Sequence, residues 1–128
     1  MSREPVVVDA TALGPYSPAV VAEGRFVYVA GQGPLRDDGY TPDTVAAETR
    51  LALENLFRIL AAAGAGPADV VRCGVYLVDL ADFDEMNAVY AEAFPTPRPA
   101  RTTIQVAGLP GGIKVEIDCV AVLPGSTV

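Results

Sequence analysis

The chain reads as an α+β layer in which two helices cover one face of a sheet. Three observations predict it. Two segments repeat their apolar residues every three to four positions, several short segments are rich in β-branched residues, and the two kinds follow one another as ββ(β)–α–β–α–β–β. At 128 residues this is a single domain, 1–128, long enough to bury one core.

The elements follow in order. Pro5 to Asp9 is a short apolar run with the character of an edge strand. Ala19–Ala22 and Arg25–Ala30 flank Glu23-Gly24, which reads as a hairpin turn. Asp37-Asp38-Gly39 marks a turn, and Pro42-Asp43 opens a long helix capped by Asp43 or Thr44. Its stripe of Val45, Thr49, Ala52, Leu53, Leu56, Leu60 and Ala63 faces a core, and Gly64 and Gly66 close it. Val70–Val78 is a strand with Val71, Cys73, Val75 and Leu77 on one apolar face. Asp82 caps a second helix from Phe83 to about Phe94, and Pro95, Pro97 and Pro99 hold an extended connection. Strands starting at Pro99 and Lys114 flank the turn Leu109–Gly112, and the tail beyond Pro124 is expected to be loose.

Strand 25–30 is apolar on both sides, with Phe26, Tyr28 and Ala30 on one and Val27 and Val29 on the other. Two helices cover only one face, so the second face predicts self-association. The net charge of −7 and scattered Lys and Arg argue against a nucleic-acid partner. With no histidine and only Cys73 and Cys119, both in apolar patterns, no metal site is expected and the cysteines read as a reduced core pair. No apolar run reaches the roughly 18 residues of a membrane span, and the first residues lack a signal-peptide pattern, so a cytoplasmic protein is expected.

The chemistry concentrates near the C-terminus. Arg101, Thr103 and Gln105 share one strand face, as do Glu116 and Asp118 on the next strand. If those strands pair, Arg101 and Glu116 converge on a small anionic ligand, in a cleft that a second subunit could complete; the plainer alternative is a cross-strand salt bridge. Asp118 points the same way and reads as a solvated or interface charge.

Motifs spread along the chain resemble the Rid family (YjgF-like reactive-intermediate deaminases, also labelled L-PSP endoribonucleases). They are Gly14-Pro15-Tyr16-Ser17-Pro18-Ala19, Val29-Ala30-Gly31-Gln32, Thr49–Leu56, Asp82-Phe83, Asn87–Tyr90, Pro99-Ala100-Arg101 and Val115-Glu116-Ile117. The resemblance implies a chorismate-mutase-like mixed sheet assembled as a homotrimer, with clefts between subunits. It also implies hydrolysis of 2-imino or enamine acids to 2-oxo acids and ammonia, with no cofactor. Arg101 matches the arginine that grips the substrate carboxylate, Glu116 the glutamate associated with the attacking water, and Tyr16 and Asn87 further pocket residues. Ala30 stands where the family commonly has serine and Thr103 where it often has cysteine, which bears on substrate range.

On this reading Arg101 binds a carboxylate bidentately. Glu116 is the acid–base candidate in a chain without histidine. Tyr16 donates a hydrogen bond or packs at the subunit boundary, and backbone N–H groups around Gly31 offer further donors. Two alternatives remain: a non-catalytic trimer that binds small carboxylates as a sensor or pathway accessory, and a ribonuclease or translation inhibitor, which the charge and the missing histidine disfavour.

Overall fold

A computed structural model describes residues 3–9, 12–39 and 42–125. Two sheets form. Strands β1 (Arg3–Pro5) and β2 (Val20–Ala22) pair antiparallel as a small ribbon. The main sheet is mixed, in the order β3-β6-β4-β5, from β3 (Phe26–Gln32), β4 (Val70–Leu77), β5 (Ala100–Gln105) and β6 (Val115–Val122). Helices α1 (Val45–Ala62) and α2 (Phe83–Ala93) pack on each other, and α1 lies on β3 and β6. The expected element order and class are present. No helix among the described residues is long and apolar enough to cross a membrane.

Helix α1 forms where the stripe predicts. Thr44 caps it, accepting from the Ala47 N–H, and Glu85 of α2 accepts the Ala46 N–H at 2.7 Å, placing negative charge at the helix start. Ala65 and Gly64 donate back to Leu60 and Ala61, and Gly64 turns the chain with φ +89°. Ala63 is exposed, whereas Glu48 and Asn55 sit buried in the stripe. Each has a task. Glu48 accepts the Lys114 N–H at 2.7 Å and its Nζ at 3.2 Å, pinning the start of β6. Asn55 donates to the carbonyls of Gly33 and Leu35, pinning the chain that leaves β3. Asp82 makes no capping bond to α2; Asp79 caps the preceding short turn.

Several expected pairings are corrected. The first strand lies at 3–5, not 5–9, because Arg3 is tied to the carbonyls of Val70 and Pro97. Glu23-Gly24 is not a hairpin: β2 pairs with β1 and β3 with β6, and Gly24 at φ 128° carries the chain from one sheet to the other. A register shift between Val70 and Arg72 gives the core position to Val70, leaving Val71 half-buried. Most important, β5 and β6 do not pair. Strand β4 runs between them, parallel to β5 and antiparallel to β6. The expected looseness beyond Pro124 falls mainly on residues 126–128, outside the described residues.

The core lies between the helices and one sheet face, around Leu53, Leu56, Leu60, Val75, Leu77, Met86, Tyr90, Phe94 and Ile117. Cys73 and Cys119 are register partners within it, and burial pushes both thiols up to about 12, so at neutral pH they are uncharged packing groups. The other sheet face is open, with Phe26, Tyr28 and Ile104 exposed by 39%, 77% and 45%.

Candidate functional site

The strand register divides the predicted site residues into two groups. Cys73 is opposite Arg101 on one side and Cys119 on the other, so Arg101 lies on the helix-covered face. Tyr76 is opposite Glu116 and also Ile104, so Glu116 lies on the open face. Arg101 and Glu116 of one chain therefore do not converge, and no salt bridge joins them. The reason is the intervening β4, which places the two side chains on opposite faces two strands apart.

The first group is built around Arg101. Residues Gly14–Ser17 are strapped to the entry of β5: the Ser17 N–H donates to the Pro99 carbonyl, its hydroxyl to the Arg98 carbonyl, and Ser17 bridges Ala100 in parallel. That strap lays Tyr16 over the guanidinium, 5.1 Å from ring centroid to Cζ. Helix α2 supplies Phe83 and Tyr90 at 5.6 and 4.8 Å. Asn87, one turn before Tyr90, reaches the same place, because a Cβ at Gly14 would stand 2.8 Å from Arg101 Nη2 and 3.3 Å from Asn87 Nδ2. Only glycine lets the strap come so close. Thr103 follows on the same face of β5, opposite Val75.

This pocket holds a concentration of buried polar atoms without hydrogen-bond partners among the described residues: Arg101 Nε and Nη1, Asn87 Oδ1 and Thr103 Oγ1. Arg101 is 9% exposed, and among the described residues no carboxylate pairs with it. Burial draws its pKa below the usual arginine value, and the neighbouring Tyr90 and Tyr16 oppose this. A buried cation that lacks a counter-ion costs several kcal/mol, and unpaired buried donors add to that. An anion with hydrogen-bonding oxygens would relieve both.

The second group lies on the open face. Between Val29 and Gln32 the register of β3 on β6 slips by one residue, so Ala30 and Gly31 together oppose Asp118. The bulge brings Gly31 under Glu116, where a Cβ would stand 2.5 Å from Oε2. Ala30 is exposed beside it. Asp118 is not a free solvated charge: it accepts from the Gly74 N–H at 3.0 Å and the Tyr76 hydroxyl at 2.9 Å, and that bond raises the Tyr76 pKa. Among the described residues Glu116 makes no such bond. Gly31→Ala should displace its carboxylate and lower any activity that depends on Glu116 by about tenfold or more, measured as kcat/KM, with little change in the melting temperature.

No group of three or more metal-ligating side chains occurs among the described residues. Helical spacing already sets Tyr90, three residues after Asn87, on the same side of the cleft; Phe83 is the residue of the Arg101 pocket that the sequence did not single out. The Asp82-Phe83 opening of α2, one turn ahead of Asn87, was the available signal.

The family model described as Endoribonuclease L-PSP matches residues 7–123. The chain is 44% identical over 114 residues to Reactive Intermediate Deaminase A, chloroplastic, of Arabidopsis thaliana, covering 88% of this chain and 60% of that protein. It is 42% identical over 113 residues to 2-iminobutanoate/2-iminopropanoate deaminase of Bos taurus, covering 87% and 82%. The crystal structure of E. coli TdcF with bound serine superposes with a TM-score of 0.72 at 39% identity, covering 87% of this chain and 90% of that one.

Proposed function

The chain belongs to the Rid/YjgF family, the L-PSP family of the matching model, and on that premise we propose that it hydrolyses 2-imino acids to 2-oxo acids and ammonia. The observation that carries this reading is the buried, carboxylate-free guanidinium of Arg101, ringed by unpartnered polar atoms. It suits a ligand carboxylate. A relative solved with bound serine, which has such a carboxylate, supports the same choice.

The second half of the site comes from a neighbouring protomer. Each chain carries the Arg101 group on one side of its sheet and the Glu116–Gly31 group on the other, so a head-to-tail contact joins the two kinds of group. On this reading the contacts close into a ring of three, the homotrimer that the family resemblance implies. The exposed Phe26, Tyr28 and Ile104 supply apolar surface for it.

In the assembled cleft, Arg101 fixes the substrate carboxylate and Asn87 and Thr103 bind its remaining polar atoms. Glu116 from the neighbour orients a water toward C2 of the protonated imine. The water oxygen bonds to C2 while Glu116 takes a proton. The resulting amino-carbinol passes its hydroxyl proton to nitrogen, the C–N bond breaks, and ammonia leaves with C=O formed. An enamine enters by first taking a proton at carbon. The steps balance with water in and ammonia out, so they call for no electron carrier. The endoribonuclease label of the family model finds little support in a chain of net charge −7 without histidine.

The test is ammonia release from 2-iminobutanoate generated in situ by an amino-acid oxidase. The protein should accelerate it well above the spontaneous rate. Tight binding of 2-oxobutanoate with no acceleration of any imine would instead favour a carboxylate-binding trimer without catalysis.

A further inference from the structure

Arg101 is surrounded by three aromatic rings, at 4.8, 5.1 and 5.6 Å, where a buried arginine would ordinarily meet a carboxylate. Tyr16 belongs to the strap, but Phe83 and Tyr90 come from α2 and are packed by the core. Tyr90 is fully buried and packs against Phe94, the ring centroids 4.6 Å apart and the planes tilted by 39°, and Phe94 meets Phe57 of α1 edge-on at 5.3 Å. The ring face on the guanidinium is thus fixed by a continuous aromatic column running to α1. The Tyr90 hydroxyl contributes little, because it lies against the Cys73 thiol.

We propose that Phe83 and Tyr90 are positioning residues whose ring faces hold the Arg101 guanidinium aimed and charged in place of an internal counter-ion, leaving its N–H donors free for an incoming carboxylate. A carboxylate in their place would hold the arginine equally well but would occupy those donors. Attraction to a ring quadrupole uses none of the guanidinium's N–H donors, whereas a carboxylate partner takes two of them. Rings and ligand therefore do not compete.

This inference rests on the carboxylate reading of Arg101, and the experiment separates the two. 2-Oxobutanoate is titrated into the purified, assembled protein by calorimetry, and KM and kcat are measured with 2-iminobutanoate generated in situ. Tyr90→Leu and Phe83→Leu should each weaken 2-oxobutanoate binding by about tenfold and raise KM alike, with kcat changed by less than about threefold. Tyr90→Phe, which restores the ring, should recover the wild-type affinity within about threefold. Because Tyr90→Leu cuts into the core, Phe83→Glu provides a second measure at a half-buried helix start. It should fold with an unchanged or higher melting temperature and lose 2-oxobutanoate binding, as Arg101 is paired internally. Leucine variants that bind as tightly as wild type, or a Phe83→Glu protein that still binds, would overturn the positioning role alone. A wild-type protein that binds no 2-oxobutanoate would overturn the carboxylate reading, and the positioning role with it.

Discussion

Replacing Arg101 with methionine should abolish detectable 2-oxo acid binding and slow imine hydrolysis by roughly a hundredfold to a thousandfold, while leaving the protein as stable as wild type or more so. The first effect follows from losing the one buried cation of the pocket. Truncating one partner of a buried, hydrogen-bonded charge pair costs about 2–5 kcal/mol. The second follows from what that cation lacks. With no carboxylate beside it and two of its nitrogens unpartnered, the unliganded protein carries a desolvated charge worth several kcal/mol of penalty. Contacts with three rings return about 1 kcal/mol each. Methionine fills similar volume and keeps favourable contacts with those rings. A gain of about 1 kcal/mol would raise the melting temperature by a few degrees in a chain of this size. Thermal unfolding beside the ammonia assay checks both. A variant that turns over normally, or that melts far below wild type, would show that the guanidinium serves the fold and not a ligand.

Mixing two inactive proteins should restore activity. Arg101→Met chains keep Glu116, and Glu116→Ala chains keep Arg101. In a ring whose clefts draw one group from each of two neighbours, co-expressed chains that assemble at random should leave about one cleft in four intact. About a quarter of wild-type activity should therefore return, against almost none for either variant alone. The measurement is kcat of the purified mixed assembly, with differently tagged chains to verify mixing. Activity no higher than the sum of the separate variants would show that the two groups are not shared across a subunit boundary. Their placement on opposite sheet faces within one chain is what makes this outcome so sensitive to assembly.

The elements were legible where local physics dominates. The α1 stripe repeats at helical spacing over eighteen residues, and Thr44 and Gly64 mark its ends, so its limits were read nearly correctly. Strand pairing was not legible, because it depends on partners far away in sequence. Glu23-Gly24 has turn chemistry yet joins two sheets, and nothing local in residues 99–105 announces that β4 will lie between them and β6. Alternation along β5 already put Arg101 and Thr103 on one face, but the approach of Tyr16 and Asn87 to them came from family resemblance and not from spacing, since two further elements bring these in. Glu48 and Asn55 could have been found. Each lies three residues after a stripe position, Val45 and Ala52, and a polar side chain there must be buried with a partner.

The extra residue in β3 has a consequence for how such a chain can vary. Upstream of it, Phe26 and Tyr28 lie exposed on the open face; within it, Gly31 sets where Glu116 rests. A bulge breaks the ladder locally and re-aims the side chains beyond it, so the two stretches of β3 are set partly apart. In the proposed assembly, drift at 26 and 28 would therefore retune how strongly copies adhere, or the choice between like and unlike copies, without disturbing Gly31 further along the same strand or the Glu116 carboxylate above it.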